Sequence, residues 1–269
     1  MNIDLRKENI SLTEAVFKAQ PHDVIYLADK TYREKIYVKT PHLTWIGSKH
    51  TKITFSAFSG DIIPASLGGD GSKTYGTTGS ATVTILPSAV GFKAKGIIFE
   101  NGYVRNGEEQ SQAVAFKSET SDIEIIDCSF ISHQDTLYID FGTNNVIQNC
   151  RITGDIDFIF GTAECAFIDC IIHARGDEKN CCYYTAPATY KRHKQGFLFE
   201  NCRFTKDDEI KELYLGRPWF PSKAVEPVHP RIYFRNCEFP KDTYLYLKKM
   251  HREDPSEYVF SLEDCKIGR

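Results

Sequence analysis

The chain has 269 residues, 41% of them hydrophobic, which supplies a core for one elongated domain or two small ones; no linker interrupts it, so residues 1–269 read as a single domain. Its 33 basic and 36 acidic side chains leave a net charge of −3, so no global basic field suits nucleic acid or an anionic membrane. Met1 to Ile10 is polar and charged and no later run could span a bilayer, so the chain as it stands reads as soluble and cytoplasmic, or secreted if a leader has been removed.

Ser11-Leu12-Thr13-Glu14 has the spacing of a capping box, and Leu12, Ala15, Val16 and Ala19 follow at helical intervals. This predicts a short amphipathic helix. Val24-Leu27, Ile36-Val38, Leu43-Ile46, Ile53-Phe55, Thr82-Leu86 and Gly96-Phe99 are short, rich in Val, Ile, Phe and Tyr, and separated by polar turns, which predicts strands. Long amphipathic helices are missing, which disfavours a doubly wound α/β fold.

Nine cysteines include no C-x-x-C pair, which argues against a zinc site or a redox motif. Six of them recur in one context, Asn or Asp, then Cys, any residue, and an apolar residue: Asp127-Cys128, Asn149-Cys150, Asp169-Cys170, Asn201-Cys202, Asn236-Cys237 and Asp264-Cys265. Phe99-Glu100-Asn101-Gly102 reads as a seventh copy with Gly in place of Cys. The Cys spacings are 22, 20, 32, 35 and 28 residues, the pattern of stacked strand-rich coils with insertions of variable size. We therefore expect an all-β, single-stranded parallel β-helix with a short N-terminal capping helix, the markers in turns and the cysteines inward as reduced thiols. A Greek-key sandwich competes but has no reason to repeat one tetrapeptide.

Gly154-Asp155-Ile156-Asp157-Phe158-Ile159-Phe160-Gly161 places two carboxylates in a run otherwise suited to a buried strand. Strict alternation would turn Ile156, Phe158 and Phe160 inward and Asp155, Asp157 and Ile159 outward. Asp135 lies 22 residues before Asp157, and Gln112 lies 22 before Gln134, matching the 22 between Cys128 and Cys150. The polar stretch Val104 to Gln110 has room for the extra residues that this register needs. Two aspartates stacked on neighbouring coils should split into one charged and one protonated member, and two amides beside them could receive an oxyanion. A polar ladder along the coil wall is the alternative.

Gln112-Ala113-Val114-Ala115, Gln134-Asp135-Thr136-Leu137-Tyr138, Asp155 to Gly161 and Leu215-Gly216-Arg217-Pro218-Trp219 resemble, in order and spacing, the motifs of the pectin methylesterases. Tyr32-Arg33-Glu34-Lys35-Ile36 and Thr77-Thr78-Gly79-Ser80-Ala81-Thr82 resemble the flanking motifs, and the similarity covers roughly residues 11 to 240. The resemblance implies a right-handed parallel β-helix, pectin lyase-like in fold, and an esterase without metal or cofactor. Its substrate would be methyl-esterified homogalacturonan or oligogalacturonides, with no nucleic acid or membrane partner and a monomeric state. It implies Asp157 as nucleophile, Asp135 as acid and base, Gln112 and Gln134 as oxyanion donors, and Arg217 as the charge that keeps Asp157 ionised. Thr77, Tyr138, Ile156, Phe160 and Trp219 would line the groove. Rival readings are a polygalacturonase-like glycosidase, for which the amide pair has no use, and a β-helical binding module without activity.

The chain departs from the family pattern at Lys30, where Gly is usual. A Gly-Trp and a Tyr-x-Glu-Tyr motif are also missing after the last core strand, where Asp242-Thr243-Tyr244-Leu245-Tyr246-Leu247 stands instead. That predicts a more open cleft, with the insertion Phe220 to His229 as a candidate replacement wall.

Overall fold

A computed structural model of the chain describes residues 2–105, 112–176, 181–248 and 255–268. Ser11 caps the predicted helix, Leu12–Lys18, its hydroxyl accepting from the Glu14 backbone N–H at 3.0 Å. Glu14 does not return the bond as a capping box would; it pairs with Lys18 one turn on, while Glu34 accepts from the Leu12 and Thr13 N–H groups at 3.1 and 2.8 Å. The helix buries Leu12, Ala15 and Val16 against the strand Ile36–Val38, which is the first strand of its sheet.

The chain winds into a right-handed parallel β-helix of three sheets, with ten, eight and nine strands among the described residues. Each coil gives one short strand to each wall, and the strands pair in parallel with their counterparts one coil away. Most last three to five residues, because a wall is only that wide before the chain must turn. One continuous apolar core runs up the axis from Ile3 to Leu247. Identical positions stack within it: Phe167 on Phe199 at 4.5 Å and Phe199 on Phe234 at 5.2 Å. No helix among the described residues is long and apolar enough to cross a membrane.

The repeat marks one corner. Asp127, Asn149, Asp169, Asn201, Asn236 and Asp264 all adopt left-handed φ values between 50° and 55°, which Asn and Asp tolerate best among residues with a Cβ. Their side chains also stack, Asn149 donating to Asp127 at 2.6 Å and Asn236 to Asn201 at 2.6 Å. The seventh copy lies elsewhere than the sequence suggests. Phe99 pairs with Phe130, so Phe99 to Asn101 is strand and the corner is Gly96, at φ 67°. Glycine reaches this conformation without help from a side chain, which hid the copy from a search for Asn or Asp. The predicted strand Gly96-Phe99 is likewise displaced to Ile98–Asn101.

All nine cysteines are free, and all are buried except Cys181 and Cys265, which are half-buried. Titration of the native protein with a bulky thiol reagent should therefore modify at most those two, and all nine after denaturation. Ready native labelling of the others would contradict the stacked coils.

Candidate active site

The site lies on the outer face of the eight-stranded sheet, where two coils break regularity at the same place. Asp135 and Asp157 both have positive φ, 64° and 51°, and the backbone N–H of Asp135 donates to the carbonyl of Ile156 at 3.1 Å. Tyr138 pairs with Phe160, preserving the 22-residue register, and Gln112 bridges Gln134 in parallel one coil earlier. Residues 106–111, where most of the added loop was expected, lie outside the described residues.

A bulge at Asp157 overturns the simple alternation. Between Ile156 and Ile159 this coil has one residue more than its neighbour, Tyr183 to Thr185, and the left-handed turn absorbs it. Phe158 and Ile159 consequently both enter the core, while Phe160 swings to the outer face and joins Ala81, Val114, Tyr138 and Ala186. Phe160 thus lines the cleft, as family position implied and strand parity denied. Asp155, expected outside, is buried: Arg105 grips its carboxylate at 2.6 and 3.2 Å, His133 approaches at 3.5 Å, and the Ile156 N–H donates at 2.6 Å. Burial works against that charge, but His133 and Arg105 outweigh it and hold the Asp155 carboxyl below its usual range.

The cleft encloses about 350 Å³. Gln112, Gln134, Asp135, Asp157 and Arg217 converge on it, and Thr77, Tyr138, Phe160 and Trp219 form its sides. Trp219 is half-buried, its ring edge-on to Phe160 at 5.7 Å. Ile156 is the one expected lining residue that does not face the cleft; it lies half-buried beside it, paired with Tyr183. None of Phe220 to His229 faces the cleft either. That insertion packs on the 189–192 segment, through a Tyr190–Val228 bridge and an Arg192–Glu226 ion pair, so it does not replace the missing wall.

Arg217 donates from Nε to both Asp157 oxygens, at 2.7 and 3.0 Å, and from Nη2 to Oδ2. Its guanidinium rests 4.6 Å above the Tyr183 ring, which holds the plane of the fork. Burial pushes the Asp157 carboxyl above its ordinary value, with Asp155 adding and Arg217 opposing. Asp135 is pushed well above, first by burial and then by the Asp157 charge. Of the two carboxylates, Asp157 is the one that the Arg217 fork is seen to bond, so Asp157 is the member that ionises first and Asp135 the one that keeps its proton.

Ser59, which no sequence pattern singles out, donates to Gln112 Oε1 at 2.5 Å, which engages the amide oxygen and leaves the NH₂ as the group able to donate. Lys35 is also missed. Its ammonium donates to the carbonyls of Gly79 (2.6 Å) and Ala81, and it sits 5.2 Å from the Tyr75 ring, fastening the turn that carries Thr77 and Thr78. Burial lowers its pKa to about 8. Both contacts join segments more than forty residues apart, which linear spacing cannot reveal.

A donor pair, an ionised carboxylate and a protonated one around a single cleft can perform attack on a carbonyl, stabilise the oxyanion and protonate a leaving group. The family model Pectinesterase matches residues 5–225. The chain is 34% identical over 208 residues to "Probable pectinesterase/pectinesterase inhibitor 23" of Arabidopsis thaliana, 73% of this chain and 34% of that protein. It spans a third to a half of the length of the first curated relatives it matches. Pectin methylesterase PemA from Erwinia chrysanthemi superposes with a TM-score of 0.84 at 23% identity over 99% of this chain and 89% of that one. A pectin methylesterase in complex with a hexasaccharide superposes at 0.83 and 23% identity, covering 97% and 86%. By sequence and by fold, the chain belongs to the pectinesterase family.

Proposed function

We propose that the protein hydrolyses methyl esters of galacturonosyl residues in pectin or in methylated oligogalacturonides. The observation that carries this reading is the asymmetric dyad, Asp157 forked by Arg217 beside a more strongly perturbed Asp135, under the amides of Gln112 and Gln134. Asp157 attacks the ester carbonyl, and the oxyanion is received by the two amides. Collapse breaks the bond to the methoxy oxygen, which takes the Asp135 proton and leaves as methanol. The resulting mixed anhydride is cleaved when Asp135, now a base, deprotonates water, returning free galacturonate and Asp157. Trp219, Phe160 and Tyr138 offer apolar ring surface to sugars, and the hexasaccharide bound to a structural relative supports a saccharide partner. Such a substrate would place the work on plant cell-wall material or fragments of it.

The test is methanol release from methylated pectin, followed together with reducing ends and unsaturated products. Methanol alone is expected; reducing ends or unsaturated sugars without methanol would overturn the reading. Activity should fall on the acid side as Asp157 protonates and on the alkaline side as Asp135 ionises. Arg217→Ala should move the acidic limb to higher pH, because Asp157 loses the charge opposing its protonation, and a limb that stays in place would remove Arg217 from this role.

A further inference from the structure

Asp155 carries a buried charge that the reaction above does not use. Its carboxylate accepts from Arg105 at 2.6 and 3.2 Å and from the Ile156 backbone N–H at 2.6 Å, with the His133 ring at 3.5 Å. Those partners come from separate stretches of chain. Arg105 precedes Gln112 in sequence, His133 is followed directly by Gln134 and Asp135, and Ile156 alone separates Asp155 from Asp157. The segments that supply both amides and both carboxylates thus meet on one buried anion. Backbone contacts tighten the same junction. The Asp155 N–H donates to the His133 carbonyl at 3.3 Å, and the Asp135 N–H to the Ile156 carbonyl at 3.1 Å. Gly154 permits this approach, since a Cβ there would stand 2.7 Å from the His133 carbonyl oxygen and 2.3 Å from the Phe158 Cβ.

A buried ion pair seldom stabilises a fold more than apolar side chains of the same size, so packing alone does not account for this one. Its place in the molecule does. Burial raises the carboxyls of both Asp157 and Asp135, and the Asp155 charge adds to that in each. Arg217 favours ionisation of both members, and Asp155 opposes it. The groups that face Asp155 itself are of one kind. Arg105 and His133 favour its charge, and the Cys182 thiol on the adjacent strand Cys181–Pro187 is held protonated by burial. Arg175, at the end of the neighbouring coil, is turned to the Ser132 carbonyl, 3.2 Å from its Nη1. The carboxylate therefore stays ionised beside a dyad that can hold only one further charge comfortably.

We propose that Asp155 is a positioning residue for the hydrolysis: it holds the segments of Gln112, Gln134 and Asp135 against that of Asp157, and its fixed charge sets the pH range in which one dyad carboxyl is ionised and the other protonated. Arg105 keeps that charge in place through its fork. The assignment to ester hydrolysis rests on the esterase reading, although the junction itself does not.

The test compares wild type with Asp155→Asn and with the double variant Asp155→Asn/Arg105→Met. The double variant removes both buried charges, so its fold does not depend on one left alone. In Asp155→Asn both limbs of the pH–activity profile should move to lower pH, because Asp157 and Asp135 each lose a neighbouring negative charge. The double variant should move them the same way, since Arg105 acts on Asp155 and not directly on the dyad. A side chain that merely props the coil would leave both limbs in place. At the displaced optimum kcat should fall by about ten- to a hundredfold with KM nearly unchanged, the scale of a small misplacement of reacting groups. Limbs that stay put or move to higher pH in Asp155→Asn would overturn the proposal, and the double variant decides in the same way if the single one does not fold. Carboxyl carbon NMR titrations of Asp135 and Asp157, assigned from Asp135→Asn and Asp157→Asn, read the same displacement without turnover. Wild-type protein that releases no methanol would therefore sink the esterase reading, while those titrations would still decide the role of Asp155.

Discussion

Asp157→Asn is expected to lower methanol release by roughly 10⁴-fold or more, the scale seen when a nucleophilic unit loses its central member. An amide presents no carboxylate to the ester carbon, so the covalent step cannot begin. The substitution is nearly isosteric, and the left-handed bulge at φ 51° accepts Asn as readily as Asp, so the coil should remain intact. Oligosaccharide binding should persist, because the ring surfaces of Trp219, Phe160 and Tyr138 are untouched. A variant that still released methanol near the wild-type rate would exclude Asp157 as nucleophile, and unaltered binding beside lost turnover would separate a chemical role from a structural one.

That bulge is also where sequence reading and structure part. Alternation along Asp155 to Phe160 holds only for a regular strand, and the extra residue absorbed at the left-handed Asp157 leaves Phe158 inward but reverses Ile159 and Phe160. Family position placed Phe160 in the cleft because it carries the outcome of the bulge without its cause. Register was legible for a simpler reason. Equal spacings of 22 between cysteines, aspartates and glutamines follow from coils of equal length, and stacking converts equal spacing into contact. Gly96 marks the limit of that logic. It occupies the same corner as Asp127, but its conformational freedom leaves no polar side chain to recognise.

The remaining parts of the site come from contacts between distant segments. Arg105 reaches Asp155 across fifty residues, Ser59 reaches Gln112 across fifty-three, and Lys35 reaches Gly79 across forty-four. Each has other polar residues close by in sequence, a setting where a solvated side chain is the ordinary expectation. Burial changes their meaning. The Arg105–Asp155–His133 cluster lies in step with the dyad, two residues before Asp135 and Asp157, so the wall behind the cleft holds fixed charge as well as packing.

Asp135→Asn should be nearly as damaging, with kcat on methyl esters down by about 10²–10⁴, the usual range for a positioned acid and base. Its failure should differ in kind from that of Asp157→Asn. With methyl esters the leaving methoxide goes unprotonated, so acylation itself stalls. With an activated ester whose leaving group needs no proton, Asp157 can still attack, giving a burst equal to the enzyme present and then arrest, because no base draws a proton from water. No burst with the activated ester would mean that Asp135 acts earlier, in binding or in orienting Asp157. Stability should move the opposite way from activity. The Asp135 carboxyl is held well above its unfolded value by burial and by the Asp157 charge, so between those two values the folded state binds more protons and loses stability as pH rises. Asn cannot ionise, so the variant should melt higher than wild type near neutral pH, and the gap should close as pH falls below the unfolded carboxylate value. A lower melting temperature at neutral pH would show that the Asp135 charge stabilises the fold, contradicting the protonated state that its role as acid requires.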